Sequence, residues 1–305
     1  MAGPAREAGA ARKPLHIFPI LGKIAGKFSK DWKKPLTPAL SPQAGRGRWV
    51  KRRVHILSLP GRDPAKSCGT GRKEVRDERS ERVNRSKAAH HMKYFVTGGA
   101  GFIGAHWVNR ILNTSDAQVT VFDNFSTGRK WHFGDRVKDP RLSIVEADAQ
   151  DESKLAAAMP GHDIVYHFAA NSDIARAQTE PTVDFRNGTI PTNNVLEAMR
   201  KTGVKRIVFK SGSGVYGEVP PKPIPENYDR MIPVSTYGAC KLACESLISA
   251  YSFMFDMTGT VFRFANVVGP QQTHGVAHDF MLRLVKDPAQ LKIFGDGTQS
   301  KPYIH

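Results

Sequence analysis

Gly98, Gly101 and Gly104, spaced three apart in Thr97-Gly98-Gly99-Ala100-Gly101-Phe102-Ile103-Gly104, constrain this chain more than any other feature. An apolar run, Lys93–Thr97, leads into them, and a run with helical spacing of apolar residues, Phe102–Asn113, leads out. A strand that turns at once into a helix needs backbone without side chains at the turn. Gly98 allows the tight turn, Gly101 lets the backbone approach a ligand's phosphates, and Gly104 lets helix and strand pack closely. The helix start then offers uncommitted N–H groups and a positive partial charge, which suit an anion. Glycine spacing alone is a weak signal; the strand–turn–helix context gives it force.

The pattern continues downstream. Strands are expected at Gln118–Phe122, Leu142–Ala147, Asp163–Phe168, Val204–Lys210, Thr260–Phe264 and Leu291–Phe294. Helices are expected from Pro181 to about Lys201, at Thr236–Phe255 and at Ala277–Val285, with Pro191 interrupting the first and able to kink it. Strand and helix in steady alternation predict a parallel sheet covered on both faces, an α/β doubly wound fold of the Rossmann type.

Residues 1–91 are unlike the rest. They hold 22 Lys and Arg against 7 Asp and Glu, a net of +15, so only +2 of the chain's +17 belongs to residues 92–305. No period of 2 or 3.6 is sustained there, and Arg, Lys, Pro and Gly dominate, so we expect a disordered N-terminal extension. A nucleic-acid-binding arm, a transit peptide and a surface-lying helix over Pro14–Lys30 are all open to such a segment. We favour translation of DNA upstream of a start at Met92, and therefore expect no nucleic-acid partner. No run approaches a membrane span, and three cysteines without a CxxC pair give neither a disulfide framework nor a zinc signature. A reducing, cytoplasmic setting, no membrane partner and no metal are expected.

Asp123 ends the second expected strand about 20 residues beyond the glycines, where a carboxylate accepts from both ribose hydroxyls of an adenosine. A carboxylate there repels a 2′-phosphate, so NAD is the expected cofactor. Tyr237-Gly238-Ala239-Cys240-Lys241 is the one Tyr-x3-Lys of the chain and opens a long helix. Residues four apart share a helical face, so Lys241 can hold its ammonium near the Tyr237 phenol. A nearby cation, together with the positive nicotinamide of a bound cofactor, lowers a phenol's pKa toward working pH and makes Tyr237 a candidate acid/base.

TGGAGFIG followed by Asp123-Asn124-Phe125-Ser126-Thr127-Gly128 resembles the extended short-chain dehydrogenase/reductases, the family of NAD-dependent nucleotide-sugar epimerases and dehydratases, and among them the UDP-glucose/UDP-galactose type. Glu146-Ala147-Asp148, His167-Phe168-Ala169-Ala170, Val215-Tyr216-Gly217, Arg263 to Pro270 and Gly295 to Gln299 resemble further family segments. The resemblance implies a cofactor site of Gly98, Gly101, Phe102, Ile103, Gly104, Asp123, Asn124, Asp148, Ala149, Phe168, Ala169, Ala170, Tyr237 and Lys241. It implies a nucleotide-sugar substrate whose diphosphate meets Asn266 and Lys301, epimerisation through a 4-keto sugar, and a setting in which homodimers are common.

Two positions depart from the family. Gly212 stands where relatives carry Ser or Thr, with Ser211 and Ser213 on either side, and a local bulge would be needed to bring Ser213 round as the third catalytic residue. Gly188 stands where an Asn is usual, beside Asn187. The Asp-Glu pair of the dehydratases is replaced by Ser213-Gly214, which favours epimerisation over dehydration. We expect residues 92–305 to be an NAD-binding domain with an incomplete C-terminal substrate lobe. Another reaction of the family, or a catalytically inactive NAD-binding fragment, is the alternative.

Overall fold

Apolar residues at alternate positions of short β-branched and aromatic runs produce the strands, and the glycine turn fixes where the first of them ends. A computed structural model describes residues 55–58, 91–219, 223–225, 227–293, 297 and 300–305. Seven parallel strands form the main sheet: β1 (His55–Ser58), β2 (Lys93–Thr97), β3 (Gln118–Asp123), β4 (Leu142–Glu146), β5 (Ile164–His167), β6 (Arg206–Gly212) and β7 (Thr258–Phe264). Their order is β1-β7-β6-β5-β2-β3-β4. From β2 the chain winds outward to β3 and β4, then returns to β5 on the other side of β2. That reversal opens a crevice at the carboxyl ends of β2 and β5, the place where such sheets take ligands. Thr97 of β2 is paired there with Phe122 on one side and His167 on the other.

Alternation along each strand feeds two cores. Phe95 of β2 and Phe122 of β3 join Leu155, Leu196, Met199, Phe209 and Ile248 on one face. Val96, Val119 and Val121 join Ala105, Val108, Ile111 and Phe133 on the other. Helix α1 (Phe102–Thr114) covers the second face; α2 (Glu152–Ala158), α3 (Ile190–Thr202) and α4 (Thr236–Met254) cover the first. Helix α5 (Val276–Lys286) has no buried residue and exposes Met281, Leu282 and Val285.

The differences from the sequence reading have physical causes. Strand β1 lies in the segment for which no order was expected; the N–H and C=O groups along the outer edge of β7 give it a partner. The helix after Pro181 begins as a wide π-type turn, Phe185–Thr189, and tightens into α3 at Ile190. Pro191 has no N–H to give to the residue four before it, so the widening falls just ahead of it. Leu291–Ile293 form no strand, and Phe294 lies outside the described residues, as does most of the Gly295–Gln299 segment. The chain instead pairs β8 (Asn266–Val267) with β9 (Tyr303–Ile304) in a small separate sheet. Helix α2 was not anticipated; it is short and carries one buried residue, Leu155.

Gly104 decides how closely α1 meets the turn. A β-carbon there would sit on the Gly98 carbonyl oxygen and 2.8 Å from the Gly99 α-carbon, both backbone atoms that cannot swing aside. At Gly188, a helical position, a β-carbon would meet nothing within 4 Å. Gly104→Ala is expected to destabilise the fold by about 1–3 kcal/mol, whereas Gly188→Ala stabilises it by roughly 0.5–1 kcal/mol. Urea unfolding of the two variants checks the contrast, and equal effects would refute it.

Candidate active site

A cavity of about 420 Å³ opens at the switch between β2 and β5. Its floor is the glycine turn. Gly98 adopts φ +66°, and its α-carbon lies so close to Ala169 that a β-carbon would come within 2.5 Å of the Ala169 nitrogen. Gly101 caps α1 without any side-chain hydrogen bond. The Gly101 N–H is taken by the Gly98 carbonyl at 3.2 Å, but the first N–H groups of the helix itself, on Phe102, Ile103 and Gly104, lack a side-chain cap where those residues line the cavity.

Asp123 lies at one end, 7% exposed. Its Oδ2 accepts from the Ala100 N–H at 2.9 Å and its Oδ1 from the Phe125 N–H at 2.8 Å. A carboxylate has about four acceptor positions, so these backbone bonds leave it some capacity to accept from a ligand. Burial raises the Asp123 pKa against the lowering effect of those backbone bonds. Asn124 donates to Asp148 Oδ2 at 2.8 Å, and Asp148 Oδ1 takes the Gln150 N–H at 2.8 Å. Asn124, Asp148 and Ala149 thus form one hydrogen-bonded rim beside Asp123.

Phe168, Ala169 and Ala170 form the opposite end. Behind them His167 is fully buried, its Nδ1 2.6 Å from Thr97 Oγ1 and its Nε2 2.9 Å from Thr192 Oγ1. The Thr192 hydroxyl already donates to the Gly188 carbonyl at 2.8 Å. It can only accept from the ring, which assigns the proton to Nε2 and makes Thr97 the donor to Nδ1. Burial pushes the His167 pKa down to about 3, with Lys241 and Lys210 adding to the effect. It is a neutral strut between two strands and α3.

The Tyr-x3-Lys pair sits at the start of α4, which Ser235 caps by accepting from the Gly238 N–H at 3.1 Å. Neither Tyr237 nor Lys241 lines the cavity itself. Lys241, 4% exposed, donates to the Lys210 carbonyl at 2.9 Å and lies 4.7 Å above the Phe209 ring. Its ammonium is 5.7 Å from the Tyr237 ring centre. Lys241 by itself does not lower the phenol. Burial pushes Tyr237 up to about 12, helped by the Asp184 carboxylate and the Cys244 thiol. Burial, then Lys210, brings Lys241 down to about 7. Asp184 itself is 2% exposed and accepts from Thr236 Oγ1 at 2.6 Å and Asn171 Nδ2 at 2.9 Å, tying the helix start to the cavity wall.

The remaining expected residues fall elsewhere. β6 runs in unbroken register with β7 through Gly212↔Phe264, so the bulge that would turn Ser213 inward does not form, and Ser213 is exposed. Asn266 and Lys301 are both exposed and outside the cavity wall, brought near each other where the Asn266 N–H donates to the Pro302 carbonyl. Sequence reasoning missed Lys210, Asn171, Thr273 and His274, all on the wall. Lys210 carried a signal, since a lysine near the inner end of an apolar strand between Phe209 and Ser211 is unusual. It also passed over Arg263 and Glu245, buried together with Nη2–Oε2 at 2.7 Å, which join Ser211 Oγ and the Tyr216 hydroxyl in one network beneath the ends of β6 and β7.

A model of the NAD dependent epimerase/dehydratase family matches residues 94–305. The UDP-glucose 4-epimerase of Lacticaseibacillus casei is 32% identical over 70% of this chain and 68% of its own. A dTDP-glucose 4,6-dehydratase of an Actinoplanes species is 30% identical over 70% of this chain and 69% of its own. The crystal structure of a UDP-galactose 4-epimerase superimposes with a TM-score of 0.60 at 40% identity, covering 70% of this chain and 67% of that one.

Lys241 gives the site a measurable dependence on pH. A lysine whose pKa is about 7 in the fold and about 10.4 in the unfolded chain binds its proton more weakly when folded. Its contribution is least unfavourable above the unfolded value, and stability falls as pH drops from about 10 toward 7. Lys241→Met should raise the unfolding free energy near neutral pH by about 1–3 kcal/mol. The gain should shrink toward pH of about 10; an undiminished gain there would refute the assignment.

Proposed function

The chain belongs to the NAD-dependent epimerase/dehydratase family, and from that premise we propose that it epimerises a UDP-hexose at C4 through a 4-keto sugar, with Tyr237 as the acid/base. The observation that carries this reading is the continuity of one wall, from the α1 N-terminus past Phe168 and Ala169 to Lys210, whose carbonyl holds Lys241 one helical turn from Tyr237. The dinucleotide's pyrophosphate suits the N–H groups at the start of α1, and its adenosine ribose suits the remaining acceptor capacity of Asp123. The volume of about 420 Å³ falls within the range of cofactor pockets. Bound NAD supplies a reversible acceptor for the two electrons that leave C4.

The chain's own residues handle the proton. Tyr237 takes it from the C4 hydroxyl as the ketone forms and returns it when the other epimer is made. A phenol at about 12 is protonated at neutral pH, so the phenolate fraction is small and grows with pH. Asn266 and Lys301 are proposed to meet the sugar nucleotide's diphosphate, Lys301 as a point charge. Epimerisation is favoured over dehydration because removing water needs a second acid/base beside the sugar. The carboxylates on the cavity wall, Asp123 and Asp148, both lie at the adenosine end, and Ser213-Gly214 follow β6 in place of any acid.

The test combines calorimetry with NAD and the appearance of reduced nicotinamide absorbance on adding UDP-galactose or UDP-glucose. Tyr237→Phe is expected to leave NAD affinity within about threefold and to slow reduction by at least about 100-fold. The wild-type rate should climb with pH between about 6 and 8. A Tyr237→Phe variant that reduces NAD at the wild-type rate would reject Tyr237 as the acid/base.

A further inference from the structure

Lys210 has a position that the reading above does not use. It lines the cavity, and its backbone carbonyl is the acceptor for the Lys241 ammonium. Its side chain shares a face of β6 with residue 212, two positions on. At that position there is no side chain: a β-carbon on Gly212 would meet nothing nearer than the Phe264 carbonyl oxygen and the Tyr237 hydroxyl oxygen, both at 3.9 Å. The flanking hydroxyls are committed elsewhere or point away. Ser211 donates to Glu245 Oε1 at 2.5 Å, and Ser213 is exposed. The space beside the Tyr237 hydroxyl therefore lacks a donor on its own strand.

The charge of Lys210 is also unclaimed. Arg176, another cation on the wall, is paired with Glu180 at 2.7 Å. Among the described residues, no carboxylate or other acceptor holds the Lys210 ammonium. The titratable groups that feel its charge are Lys241, His167 and His274, and each is made harder to protonate by it. A largely desolvated ammonium without a counter-charge is unfavourable unless a ligand supplies negative charge. Two residues along a strand span about 6.6 Å, a distance that the four-carbon stem of a lysine matches.

Resting on the epimerase reading, we propose that Lys210 is a further catalytic group: its ammonium donates to the sugar oxygen that exchanges a proton with Tyr237, in the place that Gly212 leaves without a donor. The ammonium keeps its protons throughout. The sugar's proton passes to Tyr237 and returns from it, and Lys210 stabilises the oxygen while negative charge develops on it. Burial sets the Lys210 pKa at about 8, so the donor is charged at neutral pH and is lost above that value.

Three proteins test this: the wild-type chain, Lys210→Met, and Lys210→Met combined with Gly212→Thr, which restores a hydroxyl where the structure has room. Each is titrated with NAD by calorimetry and then mixed with UDP-galactose while nicotinamide absorbance is followed across pH. Lys210→Met should bind NAD no more weakly than wild type and reduce it about 100-fold more slowly. The added threonine should recover at least about tenfold. The wild-type profile should show a limb near pH 8 that both variants lack. Undiminished reduction by Lys210→Met, or a loss of NAD affinity with no recovery in the double variant, would overturn the proposal and leave the epimerase reading standing. A wild-type chain that binds NAD but never reduces it with either UDP-hexose would reject that reading, and Lys210's role would fall with it.

Discussion

The closeness of α1 to the turn that precedes it is the constraint on which the rest of the site depends. Any side chain at Gly104 would collide with the backbone of Gly98 and Gly99, and any at Gly98 with the backbone of Ala169. These approaches seat the helix end directly over the crevice between β2 and β5. A helix displaced by one β-carbon would carry its N–H groups away from the cavity, because their influence fades within the first turn. The approach at Gly98 also sets the spacing between the glycine turn and Phe168–Ala170, the two ends of the same cavity. These two backbone approaches, which meet at Gly98, thus fix both ends of the cavity.

Behind that contact the fold is held by polar struts as much as by apolar packing. His167 joins Thr97 to Thr192, linking β2, β5 and α3 through one neutral ring. Arg263, Glu245, Ser211 and Tyr216 form a second strut, linking β7, α4 and β6. Arg263 and Glu245 are both nearly inaccessible to solvent, and a buried ion pair of this kind contributes more to fixing geometry than to net stability when its hydrogen bonds are satisfied. Here the geometry fixed is the direction of α4, and with it the position of Tyr237 and Lys241 relative to the end of β6. Asp184 performs the same task at the other side of the helix start, through Thr236 and Asn171.

The sequence made the sheet and the cofactor wall legible because both follow from local pattern. Apolar alternation located β2 to β7 to within two residues at most ends, and the glycines with Asp123 lie where their spacing implies. Every expected cofactor residue from Gly98 to Ala170 lines the cavity; Tyr237 and Lys241 do not. What escaped depends on contacts between residues far apart in sequence. The Arg263–Glu245 pair, the Asp184 links and the wall positions of Thr273 and His274 have no local signature. Leu291–Ile293 carry a strand-like composition yet form none, while β8 and β9 pair over only two residues each, too short for any periodicity to register. The raised phenol of Tyr237 escaped for a related reason: a Tyr-x3-Lys spacing reports proximity, but the desolvation that raises it depends on everything packed around the pair.

Desolvation also explains why the charges of this site work as a set. Burial penalises the charged form of each group in it, raising the phenol of Tyr237 and lowering the ammoniums of Lys210 and Lys241. Each group by itself is therefore driven toward neutrality. A negative oxygen and a positive ammonium formed side by side offset one another in a medium where water screens them weakly. On the proposed reading, a substrate oxygen losing its proton beside Lys210 and Lys241 meets that condition, whereas a phenolate formed alone does not. The carboxylates Asp123 and Asp148 stand at the far end of the cavity, with the helix N-terminus between. The carboxylates and the lysines are thus held at opposite ends of the cavity, an ordering that on the proposed reading sets which way round a dinucleotide lies and where an oxygen becomes an anion.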